Sequence, residues 1–126
     1  MLEKLLSKGN VFVGKFKGID HKKYFIIVGI TKDVVTCCSV FINSNINNYN
    51  FRNENLRALQ VNILGRKYEF LTHDSFVSCN NIQEHTMSDL KKCHLIGQID
   101  DEDLENIITT LVNSEVLSLK QKQKYF

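Results

Sequence analysis

Apolar residues fall in short runs over the first two-thirds of the chain, and their spacing is that of β-strands. The segment VFVGKF (11–16) alternates apolar with small or charged residues, whereas YFIIVGI (24–30) and VVTCCSVFI (34–42) are almost continuously apolar. Alternation indicates a half-buried strand, and a continuous β-branched run indicates a strand buried on both faces. Cys37 and Cys38 are therefore expected to be small buried hydrophobes. Further short strands are predicted at 59–64, 68–71 and 75–79.

Helical spacing characterises the last third of the chain. Thr86 or Ser88 is predicted to cap a short helix through Lys92, and Ser118 to cap a final one. Asp100 is predicted to cap a longer helix whose apolar residues recur at helical spacing, namely Leu104, Ile107, Ile108, Leu111 and Val112. Five or six short antiparallel strands followed by helices predict an α+β fold, a small SH3-like antiparallel β-barrel with C-terminal helices.

Length and composition are those of one globular domain spanning residues 1–126. The chain is 43% hydrophobic and 24% charged, which excludes the disordered class, and it is long enough to bury a core without disulfides. It shows no secretory leader pattern, and no apolar run approaches the roughly 18 residues of a membrane span. A cytoplasmic protein with reduced thiols and no membrane partner is predicted.

The four cysteines do not suggest a metal site. Cys79, His85, Cys93 and His94 lack a C-x2-C pair, and two of them are adjacent, which fits no common structural zinc site. We therefore expect neither a metal nor another cofactor.

One segment departs from both periodic patterns. Residues 43–58 read NSNINNYNFRNENLRA, with six Asn in the first eleven positions, and are predicted to form a long surface loop. Tyr49 and Arg52 are candidates to stack on or pair with unpaired RNA bases. An ordinary loop with a few apolar anchors folded back onto the domain would have the same composition.

The charge distribution permits phosphate binding. The net charge is only +2, from 16 basic and 14 acidic residues, but residues 1–82 carry 11 Lys or Arg against 6 Asp or Glu, a balance of +5. A modestly basic face is therefore available on whatever those residues build.

The segment YEFLTHDSFVSC (68–79) places a histidine, an aspartate and a serine together between two apolar runs. A Ser-His-Asp triad is not indicated, because neighbours on an extended segment point to opposite sides and no nucleophile elbow is present. Asp74 and Ser75 are predicted to stabilise the turn into the following strand, since both side chains bond local backbone. His73 is a candidate RNA contact at the edge of the same turn.

Several segments resemble the PemK/MazF-type toxin family. GNVFVGKF is similar to the first strand of that family, and HKKYFIIVGI to its second, which usually carries a His or Gly, an Arg-Pro pair and a Val/Ile run. The ending FINSN is similar to the strand that delivers a Thr or Ser to the site. YEFLTHDSFVSCNNI and LKKCHLIGQIDDEDLENIITTLV resemble the Ser-Tyr-Val-Asp strand and the tail of a divergent PemK-like branch. The resemblance covers about residues 9–112.

The resemblance implies a homodimeric bacterial barrel that cleaves single-stranded RNA without a metal and is neutralised by a cognate antitoxin protein. Lys23 stands where the family has its catalytic arginine, and Ser44 stands near the strand end that carries the Thr or Ser. Lysine keeps the charge of arginine but loses the planar fork that holds a phosphate by two parallel bonds.

Metal-free RNA cleavage needs the 2'-hydroxyl deprotonated, the leaving oxygen protonated and the phosphorus-centred charge neutralised. His21 is a candidate acid or base because histidine titrates near neutral pH. Lys23 and Lys22 are candidates to stabilise the charge, and Ser44 is a candidate to hold a phosphate oxygen. The alternative is a non-catalytic binding module on the same fold, either a poison of a protein target or a regulator, because fold alone does not determine function.

Overall fold

A computed structural model describes residues 6–16, 21–43 and 58–126. These residues form a six-stranded antiparallel sheet, three α-helices and one short 3-10 turn, Gly65–Lys67. The strands are β1 (Asn10–Gly14), β2 (Lys23–Ile30), β3 (Thr36–Asn43), β4 (Gln60–Ile63), β5 (Ser75–Thr86) and β6 (His94–Gln98). The helices are α1 (Met87–Leu90), α2 (Asp101–Asn113) and α3 (Leu119–Tyr125).

The strand order is β4-β5-β3-β2-β1-β6, and every neighbouring pair is antiparallel. This confirms the predicted α+β class. In the described part of the chain the edge strands β4 and β6 do not pair with each other, so the sheet is open where a closed barrel was expected. Register shifts interrupt three of the pairings, and such irregularities bend and twist a sheet.

Both faces of the sheet are covered, because successive residues of the central strands point to opposite sides. Ile26 and Val28 of β2 belong to one apolar cluster, which includes Ile107 and Leu111 of α2. Phe25 and Ile27 of the same strand belong to a second cluster on the other face, packed against Leu90 of α1 and Phe16. Burial on both faces explains the nearly continuous apolar run of this strand.

Three predicted caps are confirmed. Thr86 caps α1 and Ser118 caps α3, each with a reciprocal capping box, and the Asp100 side chain accepts from the backbone N–H of Asp103 at the start of α2. Helix α1 ends at Leu90, two residues earlier than predicted. Cys37 and Cys38 are completely buried, as expected.

The predicted strand at 68–71 is wrong. Tyr68 ends the 3-10 turn, and its hydroxyl bonds the carboxylate of Asp103, while Phe70 packs against Gly97 of β6. These apolar side chains therefore reach α2 and β6 from a tightly turned segment and pair with no strand.

Strand β5 continues to Thr86, beyond the predicted end at Cys79, because β3 pairs with it along both halves. Strand β6 was not predicted, since HLIGQ is a short segment with few apolar residues. It forms by pairing with β1, and three of its five residues are exposed. No helix among the described residues is long and apolar enough to cross a membrane.

Candidate functional site

A cleft of about 440 Å³ opens where β2 begins and β3 ends. Residues 21–24 and 42–43 form one wall, and residues 70–73 with Ser75 form the other. No aspartate or glutamate of the described chain lines this cleft, while Lys22, Lys23 and two histidines do. The described residues of the cleft therefore contribute positive charge and no carboxylate, which favours an anionic ligand.

The ammonium group of Lys23 is held on the sheet surface. It donates a hydrogen bond to Oδ1 of Asn43, the neighbouring residue across the β2-β3 pair, and lies 5.2 Å from the ring centroid of Phe41. Partial burial lowers the pKa of Lys23 below its ordinary value, because desolvation disfavours the charged form. An ammonium has three N–H donors, and the bond to Asn43 uses one of them.

A row of side-chain hydrogen bonds extends from Lys23 across the sheet. Asn43 accepts from Lys23 through Oδ1, and its Nδ2 group donates to Oγ of Ser78 at 2.6 Å. The Ser78 hydroxyl in turn donates to Oε1 of Gln60 at 2.9 Å. Every step has a defined donor and acceptor, so the row orients the Asn43 amide with its oxygen toward Lys23.

His73, Asp74 and Ser75 lie in the turn that forms the second wall of the cleft, and two of them stabilise that turn. The carboxylate of Asp74 accepts from the backbone N–H of Gly65 at 2.8 Å and closes the base of the 65–74 segment. The Ser75 hydroxyl donates to the carbonyl of His73 at 3.2 Å. These two residues therefore have the turn-stabilising role that was predicted for them.

His73 is exposed on that wall, and its Nδ1 lies 2.9 Å from the carbonyl oxygen of Asp74. A carbonyl only accepts, so Nδ1 is the donor and carries a proton. In the neutral ring the Nε2 atom then holds a free electron pair, which is the state required of a general base.

The structure brings together four of the residues named from sequence, namely His21, Lys22, Lys23 and His73. Ser44, Tyr49 and Arg52 lie outside the described residues. Asn43, Tyr24 and Phe70 also line the cleft and were not identified from sequence. The signal for Tyr24 was available, because it is a large aromatic residue at the exposed start of an otherwise buried strand.

A network of polar contacts attaches the second wall to helix α2. The Tyr68 hydroxyl donates to the Asp103 carboxylate and accepts from the backbone N–H of Asp100 at 3.1 Å. Lys67 lies 2.6 Å from Asp100 and 3.1 Å from Asp103, and these bonds raise the pKa of Lys67. Burial and the bond to Asp103 also raise the pKa of Tyr68.

His85 lines a second cleft and forms with Ser39 a serine–histidine pair that resembles a hydrolase site. Oγ of Ser39 lies 2.7 Å from Nε2 of His85, and the charge of Asp89 acts on the same imidazole. Ser39 is completely buried, however, and the imidazole of His85 stacks on the ring of Phe25, with the two ring centroids 5.1 Å apart. A nucleophile must reach its substrate, so this pair is a hydrogen-bonded part of the core.

No group of three or more His, Cys, Asp or Glu among the described residues is arranged to hold a metal ion. No protein-family model matches the chain, and a search of curated proteins finds no match either.

Proposed function

We propose that the protein is a metal-independent endoribonuclease of the PemK/MazF toxin type that cleaves single-stranded RNA. The observation that carries the proposal is the cleft, where two lysines and two histidines from two separate segments meet, with no Asp or Glu among the described residues that line it. Binding a polyanion requires the cations, and proton transfer near neutral pH is best served by histidine. Metal independence rests on the sequence resemblance and is tested below.

The reaction is an internal displacement at phosphorus. His73 accepts the 2'-hydroxyl proton at Nε2, and the freed 2'-oxygen forms a bond to phosphorus as the bond to the 5'-oxygen breaks. His21, in its protonated form, gives a proton to the departing 5'-oxygen. The products are a 2',3'-cyclic phosphate and a 5'-hydroxyl, so no water or co-reactant is consumed. Lys22 and Lys23 stabilise the negative charge that develops on the phosphoryl oxygens.

The proposal extends to the fold relationship and the assembly. The register shifts of β1-β6, β2-β3 and β3-β5 and the apolar clusters on both faces support a strongly curved sheet of the SH3-like barrel type. The homodimer and the cognate antitoxin follow from the family resemblance alone. Ser44, Tyr49 and Arg52 keep their proposed roles as phosphate and base contacts on the same basis.

The proposal is tested by incubating the purified protein with a long single-stranded RNA in EDTA and mapping the new ends. Parent protein is expected to give discrete cuts bearing cyclic phosphate. Lys23→Ala and His73→Gln are expected to lower the rate by about 100-fold or more, since a positioned acid, base or charge contributes 10²–10⁴-fold, roughly.

The matched controls are Lys120→Ala and His94→Gln, which remove an exposed lysine and an exposed histidine outside the cleft. Both are expected to cut as the parent does. Intact RNA at high concentrations of the parent would overturn the nuclease and favour the non-catalytic binding module. Cuts that survive both cleft substitutions would place the reaction elsewhere.

A further inference from the structure

We propose that Tyr24 is a stacking platform for one unpaired base, so that the cleft takes a nucleotide unit with its base on this ring and its phosphate beside Lys22. This inference rests on the proposed function for the identity of the ligand and adds the residue that binds the base. Tyr24 occupies the second position of β2 and lies on the wall of the cleft.

The exposure of Tyr24 is unusual for its place in the sheet. The five residues that follow it in β2 are buried, whereas Tyr24 is 36% exposed and is one of the few large hydrophobic residues of the described chain that are open to solvent. An aromatic ring presents a broad apolar surface, and every base offers a π-face of matching size. Stacking on such rings is the usual way in which unpaired bases are bound.

The ring is held by its neighbours. Phe70 packs edge-on against Tyr24, with the two ring centroids 6.4 Å apart. The ring of Phe70 also packs against that of Tyr68, with a centroid distance of 5.3 Å. Gly97 allows Phe70 to lie directly on the backbone of β6, since a Cβ atom there would come within 2.6 Å of the ring. The Tyr68 hydroxyl is fixed by Asp103. A platform that is already ordered loses little conformational freedom when a ligand binds.

The surroundings of the ring suit a nucleotide better than a peptide. Strand alternation places Tyr24 and Lys23 on opposite sides of β2, and both residues line the cleft at the end of the strand. Lys22 and His73 lie on the same cleft as exposed side chains, and the cleft has no carboxylate among the described residues. A phosphodiester chain with one base on Tyr24 is therefore matched in both charge and shape.

The probe is a short single-stranded oligonucleotide with 2'-fluoro sugars and one 2-aminopurine base. It lacks the attacking hydroxyl, so binding is measured without cleavage, by anisotropy for affinity and by fluorescence quenching for stacking. Tyr24→Phe is expected to bind and quench like the parent, because it keeps the ring. Tyr24→Leu keeps apolar bulk but no π-face, and is expected to bind about 10-fold more weakly and to lose the quenching.

The matched control is Phe126→Leu, which removes an aromatic residue of nearly equal exposure, 37%, from outside the cleft. It is expected to leave affinity and quenching unchanged. Thermal unfolding of all three variants should show a cooperative transition well above the temperature of the binding measurement, which establishes that each variant is folded.

The inference is overturned if the parent does not quench the probe, or if Tyr24→Leu quenches as the parent does. Failure of the proposed function is a separate result: intact natural RNA together with a Tyr24-dependent quench overturns the nuclease and keeps the stacking platform. Cleavage of natural RNA without any quench keeps the nuclease and overturns the platform.

Discussion

The Lys23 ammonium donates to Oδ1 of Asn43, and the amide of Asn43 is itself oriented by Ser78. One strand thus supplies the cation and the neighbouring strand supplies the acceptor that positions it. Because the acceptor is neutral, it fixes the ammonium without adding a negative charge that would compete with an anionic ligand. The pKa of Lys23 stays lowered by burial for the same reason.

Replacing that neutral acceptor by a charged one should be visible in the titration of Lys23. Asn43→Asp is expected to raise the pKa of Lys23, because a carboxylate at hydrogen-bond distance favours the ammonium, and to weaken RNA binding by about 10-fold through the added negative charge. The measurement is the pH dependence of the Lys23 Cε chemical shift. Asn62→Asp, an exposed position on β4, is the control, and an unchanged Lys23 titration in Asn43→Asp would contradict the contact.

The buried imidazole of His85 should make stability depend on pH. Burial lowers the pKa of His85, with Asp89 opposing this, so the folded state holds the neutral form more strongly than the unfolded state does. Stability contributed by the neutral form is complete above the unfolded pKa of about 6.5 and is lost as pH falls through the lower folded pKa.

The urea midpoint of the parent is therefore expected to decrease as the pH is lowered from about 7.5 to about 5.5, a range that spans the unfolded pKa of about 6.5. His85→Gln keeps a partner for Ser39 but does not titrate, and is expected to lose less stability over that window. His94→Gln, at an exposed site, should behave as the parent does. A parent midpoint that does not change over the window would contradict the prediction.

The hydroxyl of Tyr68 should contribute measurably to stability. Tyr68→Phe leaves the buried carboxylate of Asp103 and the N–H of Asp100 without this partner, which is expected to cost about 1–3 kcal/mol. The free energy of unfolding in urea measures the loss. Tyr24→Phe, which removes a hydroxyl from an exposed tyrosine, serves as control and is expected to change stability by less than about 0.5 kcal/mol.

The close approach of Phe70 to Gly97 should be sensitive to side-chain size. Gly97→Ala places a Cβ atom within 2.6 Å of the Phe70 ring and is expected to destabilise the protein by about 1–3 kcal/mol. Adding Phe70→Leu should recover part of this loss, since the smaller side chain leaves room for the methyl group. The double variant measured beside both single variants tests the contact, and simple additivity of the two losses would contradict it.

The four thiols should differ in reactivity. Burial raises the pKa of Cys37, Cys38 and Cys79 to about 12, and all three are completely buried, whereas Cys93 is partly exposed. In the native protein at pH 8 a thiol reagent is expected to label Cys93 first and the other three only on unfolding. Cys93→Ser should remove the early phase. More than one early thiol in the native protein would contradict the structure.

Local sequence determined those features whose energy is local. Asp100, Thr86 and Ser118 begin helices because their side chains satisfy the first free backbone N–H groups, a contact made within three residues. The apolar run of β2 likewise required burial on both faces, whichever elements provided it.

Tertiary structure decided the rest, because the deciding contacts join distant residues. Tyr68 and Phe70 are residue types that favour strands, and the sequence predicted one there. The bond of Tyr68 to Asp103 and the packing of Phe70 on Gly97 instead place them in a turned segment. His73 meets Lys23 in one cleft because the 65–74 segment is held against α2 and β6, a placement that no local pattern encodes. Sequence analysis therefore named four of the residues that line the cleft, and long-range packing determined that they lie together.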